Sequence, residues 1–571
     1  MPPKRSLPTG KPTNSPFESK RSRPSNTSTT PRKRTKVQRS IWNSKDDWDT
    51  LISESQLSTS SISIRPPRLR ELPTLVKCCT ESIARGFKRL WDVSGDETGA
   101  EFKAAWGYLP SHLKEGIRDS AFRYWGGFLT VKILAEVFLI PPHLYLPGEL
   151  LPSIFSAEHV KSLIPLPELR DQFTSLSLKH ASKASDLGIS AIIYNLPNLE
   201  SINLKGCSLA GDKTIKQILG QCSGLKRLNM KGTKITEGDV KSLLDRFGKG
   251  LEVFKVDSIY FENINDTFSS QPYPSLTHLS LPGDFLNSPS KDYRHRSKIL
   301  SQSFGGYPQP RQTNPEHVIQ WYTFFEHFPR LTHLYLPGLL IPEDTLINLS
   351  PGLIKLDLGA GGPPVPVEVL NHLLETQTNT LRSLKLGHIK SAKLLATGIP
   401  DSAAFTGLGE ILSRCERLEE FSMKVDPGGS KDPMCDACMG RYSDLVFRDG
   451  LRANWRKSLK KLSLIIPQSI DSSIFFPSGP DRQQGNGSLI ASPLEQVELP
   501  SAIINDTHTF ALALQGFPKL RSLDLSGTTI TDEDMEIILQ GCKLLSRIDL
   551  TSCRGINVRH RRNIFRAYEH N

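Results

Sequence analysis

Two cysteines three residues apart, Cys435 and Cys438 in MCDACMG, are the pairing in this chain whose spacing most directly suggests chemistry. Thiolates at that spacing supply half of a tetrahedral zinc site or exchange disulfides as a redox pair. A zinc site needs two further ligands, yet only Cys415 lies near in sequence, and no histidine occurs between His388 and His508. A redox pair normally sits at the strand-to-helix turn of a βαβ unit, whereas this one falls in a loop-rich stretch. The two cysteines are therefore expected to be incidental, with no metal and no cofactor.

Other reactive constellations are missing from the sequence. There is no GxxxxGK[ST] loop to cradle phosphates and no HExxH zinc helix, and no local motif marks out a serine, a histidine and a carboxylate together. A binding protein rather than an enzyme is expected. Nine cysteines in 571 residues form no dense disulfide framework,. The most apolar window, FLTVKILAEVFLI (128–140), is too short for a bilayer and carries Lys132 and Glu136,. The opening MPPKRSLPTGKPTNS lacks the apolar run of a secretory signal,. These features predict a soluble chain of a reducing compartment without a membrane partner.

The formal charge of +12 at first suggests a polyanionic partner,. Residues 1–40, however, hold eleven Lys/Arg and one Glu, a net +10, which leaves about +2 for all that follows. The first 70 residues or so are rich in Ser, Thr, Pro, Lys and Arg. They offer too little apolar surface to offset ordering entropy, so a disordered basic tail is expected over 1–70. Within it, Lys20-Arg21 and the cluster Arg32, Lys33, Arg34 and Lys36 flank a ten-residue spacer. This resembles the bipartite nuclear-import signal and implies an import receptor and a nuclear location. A loose nucleic-acid contact through the tail is the alternative use of the same charges.

From residue 173 an apolar residue recurs at positions 1, 4 and 6: FTSLSL, LESINL, LKRLNM, LEVFKV and LTHLSL, then eight more copies from LTHLYL (331) to LSRIDL (545). The first four starts are 26 residues apart. Thirteen such copies predict a leucine-rich repeat array, because no single unit can bury its own leucines and the units must stack. The expected fold is an α/β leucine-rich-repeat solenoid, a curved horseshoe with parallel strands on its concave face and helices on its convex face. A small α-helical cap over 71–165 and the basic tail precede it, and the repeats run over 166–571 with insertions at 282–330, 424–458 and 465–493. In the first insertion WYTFFEHF is expected to form a helix beneath the next strand. Strand alternation puts Ser201, Asn203, Lys205, Arg227, Asn229, Lys231, Lys255 and Asp257 on the concave face, followed by Tyr335, Asp357, Asp524 and Asp549. Cys207, Thr233, Thr528 and Cys553 take the ninth place of their repeats, where a small polar group can bond turn backbone. They resemble the cysteine-containing class, frequent among ubiquitin-ligase substrate receptors.

The segment 71–90, ELPTLVKCCTESIARGFKRL, has Leu75, Cys79 and Ile83 at i, i+4 and i+8, on one face of a helix starting at Pro73-Thr74,. Thr74-Leu75-xxx-Cys79-xxx-Ile83 resembles the BC-box. A second helical segment begins at Leu109-Pro110 in LPSHLKEGIRDSAFRYWGGF, and WDVSGDETGAEFKAAWGY lengthens the gap between the two. The whole block resembles the N-terminal region of fungal leucine-rich ubiquitin-ligase substrate receptors. That resemblance implies an elongin-C- or Skp1-like adaptor bound through Thr74, Leu75, Cys79, Ile83, Leu109 and Pro110, a cullin, and a protein substrate on the concave face. Three other expectations compete. The same residues could simply cap the first repeat; the protein could be a nuclear scaffold in DNA repair or RNA processing without ligase attachment; and LPGELLPSIF (146–155) has the opening of an F-box, though Pro152 interrupts it. The pattern also recurs as TLINLSPGLI (345–354), where Pro351-Gly352 forbids one continuous helix,.

Overall fold

The computed structural model describes residues 74–93, 100–151 and most of 159–281, 321–390, 408–424, 458–475 and 492–569. The import-signal residues, Cys435 and Cys438 lie outside them. No helix among the described residues is long and apolar enough to cross a membrane.

Fourteen short strands form one all-parallel sheet in which each strand pairs with the next in chain order. They are β1 (His143–Tyr145), β2 (Ser175–Ser177), β3 (Ser201–Asn203), β4 (Arg227–Asn229), β5 (Val253–Lys255), β6 (His278–Ser280) and β7 (His333–Tyr335). The second half is β8 (Lys355–Asp357), β9 (Ser383–Leu386), β10 (Glu420–Lys424), β11 (Lys461–Ile465), β12 (Gln496–Glu498), β13 (Ser522–Asp524) and β14 (Arg547–Asp549). The register aligns the fourth-position residues: Leu176, Ile202, Leu228, Phe254, Leu279 and Leu334 are mutual neighbours, all buried. Each contributes roughly 2 kcal/mol through burial, and only because the flanking repeats cover it. The sheet is open and unclosed, an α/β leucine-rich-repeat solenoid.

All thirteen sequence copies supply a strand, and β1 adds one more, within the stretch expected to be helical. Thr174 and Ser175 donate to Pro142 O just as Glu200 and Ser201 donate to Thr174 O. Pro142 thus takes the second place of a repeat, and Pro141 stands where leucine or phenylalanine stands elsewhere. Residues 146–151, the described part of the F-box-like stretch, form turns and no helix, with Leu146 and Leu151 buried beneath β1 and β2.

The turns after six of the strands use a position the leucine pattern does not mark. Gly206, Gly232 and Gly527, each eighth in its repeat, have φ of 77, 70 and 74°, and His180, Ser501 and Ser552 adopt the same left-handed conformation,. The ninth residue then bonds inward: Cys207 Sγ donates to Leu178 O at 3.0 Å, and Thr233 Oγ1 to Met230 O at 2.6 Å. Burial pushes the Cys207 thiol up to about 12, so it is a structural group and not a nucleophile,.

Ahead of the sheet, α1 (Leu75–Val93), α2 (Ala100–Tyr108) and α3 (Ser111–Trp125) form a cap. Its centre is aromatic: Phe87, Trp91, Phe102, Trp106 and Phe138 have ring centroids 5.2–6.1 Å apart. The stretch that lengthens the gap between the two helical boxes therefore supplies α2, whose Trp106 is buried and donates Nε1–H to Val137 O at 3.0 Å. On the side opposite the strand face, α4 (Asp186–Tyr194) packs on α5 (Asp212–Gln221), and α5 on α6 (Glu237–Phe247). The capping box of Thr236 and Asp239 starts α6,. In the first insertion, Trp321–Glu326 is a helix, and Phe324, Phe325 and Phe328 pack in the core as expected.

Candidate functional site

Helix α1 carries two apolar stripes. Thr80, Ala84, Phe87 and Trp91 lie on one side and are buried against α3 and the aromatic cluster. Leu75, Cys79, Ile83, Gly86 and Leu90, at i, i+4, i+8, i+11 and i+15, make a second stripe roughly a quarter-turn away. Leu75 is 79% exposed and Leu90 45%. Cys79 is exposed, and Ile83 is half-buried at the edge of the core. A Cβ added to Gly86 would meet nothing within 4 Å. Val76, 56% exposed, widens the stripe near its start.

Thr74 has a local role. It precedes the first helical residue, its Oγ1 accepts from Lys77 N–H at 3.3 Å, and its carbonyl accepts from Cys78 N–H at 3.0 Å. It is the N-cap of α1. Pro110 is exposed just before α3, and its carbonyl accepts from Leu113 and Lys114. Leu109 is half-buried against the core.

The two helices run side by side in the same direction. A Cβ on Gly116 would lie 3.6 Å from Thr80; further along, Arg85 donates to Tyr124 Oη at 3.1 Å and Lys88 lies over the Phe128 ring at 5.3 Å. Counting back from Thr80 and Gly116 at 1.5 Å per residue takes both Leu75 and Pro110 about 8–9 Å toward the same end. Thr74, Leu75, Leu109 and Pro110 thus share one end of the α1–α3 pair, where Leu75, Val76, Cys79 and Pro110 are open to solvent, whereas Ile83 lies midway along α1. Sequence reasoning missed Val76, Gly86 and Leu90, although the i+11 and i+15 spacing from Leu75 marks the last two. In the recurring pattern at 345–354, Pro351 and Gly352 lie in a bend ahead of β8, with Gly352 φ at 129°.

The strand face is the second candidate surface. The predicted concave residues line it, alternating with the buried fourth-position residues. Its centre holds a stacked pair, the rings of His278 and His333, 3.8 Å apart and 12° from parallel. Each ring Nδ1 pairs with the preceding threonine, Thr277 Oγ1 at 2.8 Å and Thr332 Oγ1 at 2.9 Å. Burial, then His333, Lys255 and Arg227, push His278 down to about 4. Among the described residues no cluster of three or more His, Cys, Asp or Glu could hold a metal.

No family model matches the chain, and no curated protein matches it in sequence. Among solved structures it is similar to one of Rad7 and Elc1 in complex from yeast, at 14% identity and TM-score 0.37, covering 87% of this chain and 91% of that one. It is also similar to a leucine-rich-repeat protein of Leptospira interrogans, at 14% identity and TM-score 0.32, covering 74% and 92%. The parallel strand register and the stacked repeats define the fold.

Proposed function

We propose that the chain is a substrate-recognition subunit of a cullin-type ubiquitin ligase, a leucine-rich-repeat protein of the cysteine-containing class that acts in the nucleus. An elongin-C- or Skp1-like adaptor docks on the α1–α3 end through Leu75, Cys79 and Ile83, with Leu109 and Pro110 alongside. A protein substrate occupies the strand face. The observation that carries this reading is the second apolar stripe of α1. A helix that only shields the first repeat needs one apolar face, and Ala84, Phe87 and Trp91 already supply it. A large exposed leucine beside small, open positions suits a partner that inserts closely. The protein does no chemistry in this role; it raises the substrate's effective concentration at the ligase.

The test is recovery of partners from nuclear extract with tagged full-length protein. Adaptor and cullin should co-purify, be lost with Leu75→Asp, and be retained with Leu209→Asp, an exposed leucine in the repeats. Absence of any such adaptor, or equal loss with both substitutions, sinks the reading and leaves a scaffold without ligase attachment.

A further inference from the structure

The lysines of the strand face differ in how they are partnered, although Arg227 in the first half pairs with Glu252 at 3.4 Å. In the second half, lysines meet carboxylates across strands: Lys385 with Asp357 at 3.9 Å, Lys355 with Glu420 at 3.8 Å, and Lys461 with Glu498 at 3.4 Å. In the first half a row of four does not. Lys179, Lys205 and Lys231 occupy the seventh position of consecutive repeats, and Lys255 follows two residues earlier in the next. Among the described residues none of the four has a carboxylate within 4 Å, although Asp257 and Asp357 act on Lys231 from farther away.

This row is built. His180 N–H donates to Lys205 O at 2.6 Å and Gly206 N–H to Lys231 O at 2.7 Å, so the lysine backbones are stacked in register. Asn203 and Asn229 each accept from the N–H of the lysine two residues on, at 3.3 Å. The ammonium groups of Lys231 and Lys255 lie over the Tyr335 ring at 5.8 and 5.4 Å, which fixes two of the charges side by side,. Burial, then Lys231, Lys355 and Lys179, hold Lys255 below the usual lysine range. Like charges are thus crowded on a partly desolvated floor, an arrangement that an incoming anion relieves.

We infer that this row is the seat of an acidic segment of the protein substrate, its carboxylates pairing with Lys179, Lys205, Lys231 and Lys255. The inference rests on the strand face being the substrate face, and it names the chemistry recognised there. Parallel strands 4.7–4.9 Å apart give the row a length of ~15 Å, about five residues of extended chain. The row is bounded: Asp257 takes its next step, with Asp357 beyond. A nucleic-acid backbone crossing the face would meet those carboxylates, and the chain beyond residue 40 is nearly neutral. A short acidic peptide fits between the bounds.

Binding of a fluorescein-labelled peptide of alternating glutamate and serine to the full-length protein tests this by anisotropy. The Lys205→Glu/Lys231→Glu variant should weaken binding by about tenfold or more, and added salt should weaken the wild type, because exposed pairs are screened. Lys179→Gln/Lys205→Gln alters only exposed side chains and should weaken binding by about threefold, which keeps the test valid where charge reversal disturbs folding. Leu75→Asp should leave peptide binding unchanged, and the lysine variants should leave adaptor recovery unchanged, so failure here and failure of the adaptor reading are separable. Three results each overturn the inference. The lysine variants could bind as the wild type does; binding could vanish only when Arg32, Lys33, Arg34 and Lys36 are replaced by alanine; or an oligothymidylate of equal charge could displace the peptide from the row with equal affinity.

Discussion

Trp125 Nε1 donates to the backbone carbonyl of Ala84 at 2.7 Å, tying the C-terminal end of α3 to the middle of α1. Ala84 is buried while Leu75, Cys79 and Leu90 on the same helix are not, so this bond lies on the side that fixes which stripe of α1 faces outward. Trp125→Phe keeps an aromatic ring beside Phe128 but removes the pyrrole half of the indole together with its donor. The expected cost is about 1–3 kcal/mol, from the lost bond and the lost ring burial. It would be seen as a lower denaturation midpoint with an unchanged denaturant slope.

The two stripes of α1 should respond oppositely to the same substitution. Leu75→Asp places a carboxylate on a solvent-exposed first-turn position, where the helix dipole favours it, so stability should change by no more than about 0.5 kcal/mol. Ala84→Asp buries an unpaired charge under α3 and should cost about 3–5 kcal/mol. Thermal melts of the two variants decide it, since a marked loss of stability with Leu75→Asp would mean that the leucine is covered.

The solenoid was legible because its core is periodic: Leu176, Ile202 and Leu228 are buried by neighbours that the same 26-residue spacing supplies. Strand β1 escaped that pattern because Pro141 holds the first apolar place. Which face of α1 would be outward was not legible, since Leu75/Cys79/Ile83 and Ala84/Phe87/Trp91 are both helical stripes and only the partner α3 selects between them. Three of the four lysines, Lys205, Lys231 and Lys255, were legible as basic concave positions, whereas Lys179 was not. The row's lack of close carboxylates was not legible either, because pairs such as Lys355 and Glu420 join residues that only folding brings together. Left-handed turn positions at His180 and Ser501 carry no glycine to announce them.

A carboxylate in one repeat caps the helix of the next. Asp186 accepts from the backbone N–H groups of Gly211 (2.9 Å), Lys213 (3.0 Å) and Thr214 (3.0 Å), and from Thr214 Oγ1 at 2.6 Å. Gly211, at the N-cap of α5, has no side chain to do this itself. Burial alone would raise the Asp186 carboxyl, but the bonds from Thr214, Gly211 and Lys213 outweigh it and hold the group below its ordinary value. Asp186→Ala should cost about 1–3 kcal/mol, as helix donors lose their acceptor at the contact between α4 and α5. Because the folded value is the lower one, the carboxylate's contribution is present above the unfolded value near 3.9 and is lost as pH falls through the folded one. The deficit of the variant against wild type should therefore shrink in acid, as measured by chemical denaturation at several pH values.

The stacked histidines predict a second pH response with a window of its own. His278 is held down to about 4, by burial first and then by His333, Lys255 and Arg227. His333 is also lowered, by burial and then by Lys355 and Lys255. A histidine whose folded value lies below its unfolded value near 6.5 adds no pH dependence above 6.5, where both states are neutral. Below it, the unfolded chain takes up a proton that the folded face refuses, so stability falls from about pH 6.5 toward about 4,. His278→Phe preserves a planar ring against His333 and removes one of the two protons. Wild type should lose stability between pH 6.5 and 5, a range above most carboxylate titration, and the variant should lose less over the same range. Denaturation midpoints followed across that range check it, and equal slopes for the two proteins would show that His278 takes up its proton as readily in the folded state as in the unfolded one.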